Sequence, residues 1–281
     1  LDDKNQIFYF DPISNETSIT IKENVKSFDL HDDNLYLLLN NNTENIQIYK
    51  GERSPKLQTS FSNEDEINET IEEESLLPID ISFVSDNQLL LVYGNEISAE
   101  TDDVSYDQKM YIAKINEDGS KITFHESFDI APAFGSVLRF PSFYNILLNK
   151  LTPECEYISI LGSSCASELT IYDSKEVVQP SQDSERAVLP ISQTTDNDTN
   201  PTGIALDIST TGKIFEVCLG VDQIERLPLI YVLNNEGDLQ IVGLFHSTAI
   251  KENKFNISNL ETVLHKENRL VPASLDDKDV L

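Results

Sequence analysis

The chain has 281 residues, enough for one large domain or two ordinary ones with a buried core. Its 39% hydrophobic and 25% charged content is that of a globular protein, so a net charge of -29 is not a signature of disorder. The balance of 49 acidic against 20 basic residues argues against sequence-independent nucleic-acid binding and disfavours attachment to anionic membranes, because both need Lys and Arg.

In chain order, QIFYF, TSITIK, VKSFDL, NLYLLL and NIQIYK predict strands within the first fifty residues. SNEDEINETIEEESLLP (62–78) breaks this rhythm with seven carboxylates and no base, and reads as a helical or mobile insertion. DISFVS, QLLLVYG, KMYIAK and KITFHE form a second strand group, and the acidic stretch SAETDDVSYDQKMY, Ser98 to Tyr111, follows its second member and runs into its third. SVLRF, FYNILL, EYISIL and SELTIY follow. The polar stretch 179–201, with the single apolar run AVLPI, separates them from GIALDI, LIYVL and DLQIVGLF. EDGS, NNEGD and TTGK predict tight turns. Ser258 and Glu261 have capping-box spacing and predict a helix over 258–271, followed by an acidic tail.

The fold class is all-β. Groups of about four strands every ~45–60 residues favour propeller blades, with other all-β folds as the alternative on pattern alone. A propeller over 1–257 and a helix with tail over 258–281 is the expected division.

Catalytic signals are missing. GSSCA, Gly162 to Ala166, lacks the second glycine and the following helix of a nucleophile elbow, and reads as a small-residue turn. Asp196, Asp198, Asn200 and Asp207 fall on calcium-loop positions, but Pro201 stands where that loop needs glycine. The four histidines share no metal spacing, and no glycine-rich phosphate loop occurs. Cys155, Cys165 and Cys218 read as core thiols of a reducing compartment. No apolar run approaches the ~18 residues of a membrane helix, and no signal peptide is evident. The expectation is a soluble intracellular domain with no enzyme activity, cofactor or metal.

Interaction remains. The acidic stretches 64–74 and 96–107 bracket the strand pair 80–94 and emerge on one side of it in antiparallel connectivity. In STTGKIFEV (209–217), Ile214 or Phe215 is either an exposed anchor beside charge or a core residue. The acidity serves either a basic partner or simple solvation.

Three long strings, ISAETDDVSYDQKMYI, VQPSQDSERAVLPIS and GVDQIERLPLIYVLNNEGDLQIVGLFH, resemble the N-terminal domain of a fungal nucleoporin family. This is the cytoplasmic-filament component that docks the DEAD-box helicase of mRNA export. The resemblance implies a seven-bladed β-propeller with irregular blades. Roughly two of these lie ahead of Leu1 in the family, so this chain covers about five. It implies a non-enzymatic docking role at the cytoplasmic face of the nuclear pore complex. There, acidic loops meet a basic patch on the helicase's first RecA-like domain, in competition with RNA. By position, Glu100, Asp102 and Asp103 become the expected arginine contacts, with Asp107 at the loop base. Ile214 and Phe215 would form a second contact loop, and Glu72 and Glu73 a rim. The alternative is a scaffold propeller for other pore proteins, its acidity serving solubility.

Overall fold

The computed structural model describes residues 4–11, 16–41, 43–51, 55–94, 108–127, 142–153, 155–180, 182–209, 226–255 and 257. The described residues form five antiparallel sheets in sequence order. The first pairs β1 (Ile7–Asp11) with β2 (Glu16–Lys22). The second holds β3 (Val25–His31), β4 (Asn34–Leu39), β5 (Ile46–Lys50) and β6 (Lys56–Phe61). Helix α1 (Asp65–Glu73) leads into the third: β7 (Leu77–Ser85), β8 (Gln88–Gly94), β9 (Gln108–Ile115) and β10 (Ile122–Glu126). The fourth contains β11 (Phe143–Asn149), β12 (Tyr157–Ser163), β13 (Glu168–Tyr172) and the two-residue β14 (Ala187–Val188). The fifth contains β15 (Pro201–Asp207), β16 (Leu229–Asn234) and β17 (Leu239–Gly243), followed by the short α2 (Ser247–Lys251).

Period-2 alternation decides which neighbour each side chain meets. On β4, Leu35, Leu37 and Leu39 pack with Ile7 and Val25 toward the first sheet. Tyr36 and Leu38 point the other way, into a cluster with Phe83, Leu89, Leu91 and Tyr93 of the third. On β8 the remaining alternates, Leu90 and Val92, pack with Leu161, Ala166 and Tyr172 of the fourth. Ile158 and Ile160 of β12 face Ile230 and Val232 of the fifth. Four apolar layers thus separate five sheets. The second strand of each middle sheet is buried on both faces, which is why NLYLLL, QLLLVY and YISIL are apolar almost without interruption. This is the stacking of propeller blades.

The first strands of successive sheets adjoin: β3 packs on β7, β7 on β11, and β11 on β15. Polar ties cross these junctions. Ser27 on β3 donates to Asp80 on β7 at 2.7 Å, and the Phe83 amide donates to Asp29 at 2.6 Å. The His31 ring stacks on Phe83 with centroids 3.9 Å apart, and Asn145 on β11 donates to the Phe83 carbonyl. A cavity of about 360 Å³ lies along these strands, lined by Phe28, Asp80, Phe83 and Asn145 among others.

The expected strands lie where the alternation puts them, except SVLRF and the TTGK turn, which fall outside the described residues. Gly119 and Gly237 take positive φ (69° and 88°) in the EDGS and NNEGD turns. The helix expected over 258–271 and the tail also lie outside the described residues. Besides the short 3-10 helix Asp183–Glu185, three elements go unnoticed in the sequence. KLQTSF (β6) has only two apolar side chains in six, β14 is a two-residue edge, and α2 is a single turn capped by His246, whose Nδ1 accepts from the Ala249 amide at 3.0 Å.

Candidate functional site: an acidic end of the third sheet

Helix α1 is anchored by one face. Ile67 is buried, and Ile71, one turn later, packs against the same cluster, with Leu76 just beyond the helix also buried. Glu64, Asp65, Glu66, Glu69, Glu72, Glu73 and Glu74 are all exposed. Asp65 and Glu66 in the first turn suit the helix dipole, but Glu72 and Glu73 stand in the last turn, where it opposes them and no base is present. The chain leaves the helix through Ser75 in a left-handed conformation (φ 54°), with the Leu76 amide donating to the Ile71 carbonyl at 2.9 Å.

Register places this helix beside the stem of the second acidic stretch. Leu77 on β7 pairs with Gly94 on β8, and Gly94 pairs with Gln108 on β9. The segment 95–107 therefore leaves and re-enters the sheet at the edge where α1 ends. Lys109, one residue inside that stem, places its Nζ 3.4 Å from Glu74 and 3.9 Å from Glu126. The Glu74 carboxylate holds the Lys109 ammonium above its ordinary pKa.

Of the residues singled out in the sequence, Glu72 and Glu73 are thus exposed on α1. Glu100, Asp102, Asp103 and Asp107 lie outside the described residues, between the two described stems. Ile214 and Phe215 also lie outside them, in the segment opened by Asp207 and closed by Leu229, which pair with each other. That pair joins the first and second strands of its sheet, whereas Gly94 and Gln108 join the second and third of theirs.

Other candidates resolve into structure. Ser163 is fully buried at the end of β12, its Oγ accepting from the Cys165 amide at 3.1 Å. Asp198 bridges Ile191, Asn200 is buried, and Pro201 begins β15. Among the described residues, no three His, Cys, Asp or Glu side chains gather to hold a metal.

Sequence reasoning missed what supports the site from below. Asn45, between β4 and β5, donates through Nδ2 to the Tyr93 hydroxyl at 3.1 Å. That hydroxyl donates to Asn63 Oδ1 at 3.1 Å, and the Asn63 amide donates to Asn45 Oδ1 at 3.1 Å. No sequence signal marks the trio, because its members come from two sheets.

Residues 1–239 match the NUP159/214 beta propeller family. The chain is 49% identical over 255 residues to nucleoporin NUP159 of Saccharomyces cerevisiae, covering 90% of this chain and 17% of that protein. It is 22% identical over 186 residues to nucleoporin nup146 of Schizosaccharomyces pombe, covering 61% of this chain and 14% of that protein. The chain therefore spans less than a fifth of the length of either relative. A solved structure of the N-terminal domain of Nup159 superposes with a TM-score of 0.72 at 44% identity, over 88% of this chain and 62% of that one. A solved complex in which a variant of S. cerevisiae Dbp5 is bound to Nup159, a Gle1 variant, IP6 and ADP superposes with a TM-score of 0.73, also at 44% identity and with the same coverage. With five stacked antiparallel sheets and a family match over most of its length, this chain belongs to the NUP159/214 β-propeller family.

Proposed function

We propose that this chain is a non-enzymatic docking module of the nuclear pore complex. On this reading it binds the first RecA-like domain of the DEAD-box mRNA-export helicase through acidic segments. It thereby holds that helicase at the cytoplasmic face of the pore, where its own contact competes with RNA. The observation that carries the proposal is the Leu77–Gly94–Gln108 register, which brings the acidic helix and the stem of 95–107 to one edge. A solved relative bound to Dbp5 supports the choice of partner. Glu100, Asp102 and Asp103 are the arginine contacts in this reading, with Asp107 at the base and Glu72 and Glu73 at the rim. Bidentate arginine–carboxylate pairs suit such a surface, and they make the association sensitive to salt. Ile214 and Phe215, in the segment between Asp207 and Leu229, serve as a second, apolar contact in this reading.

The test is a charge reversal. With Asp102→Arg and Asp103→Arg together, pull-down of the purified helicase should be lost. Binding that survives the reversal, or that is indifferent to ionic strength, overturns this assignment. Titration with and without a short RNA checks the competition.

A further inference from the structure

The end of α1 and the strand ends that carry the 95–107 segment meet at one edge, and they act together only if their relative placement is fixed. Each is rooted next to the buried trio described above. Asn63 precedes Glu64, the residue from which α1 starts, and Tyr93 precedes Gly94, the last residue of β8 before the 95–107 segment. Asn45 closes the circuit from the second sheet. Tyr93 and Asn45 are 2% exposed and Asn63 is 7% exposed. The bonds run in a single rotational sense, with Asn63 accepting through its side-chain Oδ1 and donating through its backbone N–H, so the three residues form a closed ring. Burial pushes the Tyr93 phenol up to about 12, so its proton stays in place to donate to Asn63.

An all-apolar junction here would be non-directional, and the side chains could slide past one another. A buried polar ring is satisfied in one arrangement only, because an unmet donor or acceptor is costly away from water. Resting on the docking reading above, we propose that Asn45, Tyr93 and Asn63 are positioning residues. They lock the root of the acidic helix to the stem of the acidic segment, so that both address the same arginine-bearing surface of the partner.

The experiment uses the full chain with Cys155→Ser and Cys218→Ser, and nitroxide labels at Glu69→Cys on α1 and Lys114→Cys on β9. The inter-label distance distribution is measured with and without Tyr93→Phe. A narrow distribution that broadens in Tyr93→Phe, with unchanged circular dichroism, is the expected result. An unchanged distribution overturns the positioning role, even if the melting temperature falls. Should Tyr93→Phe fail to fold, Asn63→Ser repeats the measurement at the least buried member of the ring. In parallel, the helicase is titrated onto the same variants. Affinity should fall about tenfold, through faster dissociation. It should fall further by much less in a Glu72→Gln, Glu73→Gln background. Equal losses in both backgrounds overturn the link between ring and helix. If the unmodified chain does not bind the helicase, the docking reading falls while the label distances still decide the ring.

Discussion

Lys109 on β9 reaches Glu74, just past the end of α1, at 3.4 Å, and so joins the stem of the 95–107 segment to the acidic helix with the one base that contacts it among the described residues. The pair is part-exposed, so its worth lies in field more than in stability. Lys109→Met should change the unfolding free energy by less than about 1 kcal/mol. The same change removes a positive charge from an acidic edge, so association with a basic partner should speed up several-fold at low salt and converge with wild type at high salt. Stopped-flow association rates at two ionic strengths decide it; a slower association would mean that the pair serves the contact itself.

Asp80 carries a pH-dependent cost at the junction of β3 and β7. Its carboxyl is pushed from 3.8 up to about 6, chiefly by burial, against the opposing hydrogen bonds from Ser27 and Ser82. A carboxyl with a raised folded-state pKa binds its proton more tightly when folded. Its burial therefore destabilises progressively as pH rises from about 4 through 6 and fully above that. Asp80→Asn, neutral at every pH, should be more stable than wild type at pH 7.5, by at most about 3 kcal/mol. The advantage should vanish near pH 4. Urea unfolding of both proteins at the two pH values measures the difference, and a variant less stable at pH 7.5 would refute the account.

Blade stacking predicts where side chains matter. Leu91 is fully buried between the second and third sheets, and its truncation to alanine should cost about 2–5 kcal/mol. Leu239, on the edge strand of the fifth sheet among the described residues, is 59% exposed, and the same truncation there should cost less than about 0.5 kcal/mol. Denaturant midpoints for the two variants, at unchanged slope, compare them directly.

The β7–β8 turn holds Asn87 at φ 63°, a conformation that asparagine accepts and β-branched residues resist. Asn87→Val should destabilise by about 1–2 kcal/mol, while Asn87→Gly should be nearly neutral. Thermal melts of the pair distinguish backbone strain from lost side-chain contacts.

The sequence by itself determined the strands, most of the turns and the acidity of 62–78, because these rest on local properties: a period of two, left-handed turn residues, and charge. Even the doubly buried strands could be read from NLYLLL and QLLLVYG. It did not reveal β6 or β14, whose edge positions ask for little apolar surface. The acidic insertion was ambiguous between helix and mobile segment until Ile67 and Ile71 found a hydrophobic layer to pack against. The rest belongs to tertiary structure alone. Only the Leu77–Gly94–Gln108 register brings the end of the acidic helix and the stem of 95–107 to one edge. Only the meeting of two sheets joins Tyr93 to Asn45, 48 positions away, and to Asn63, 30 away. Such contacts need long loops to close before any hydrogen bond can form, and no local pattern encodes them.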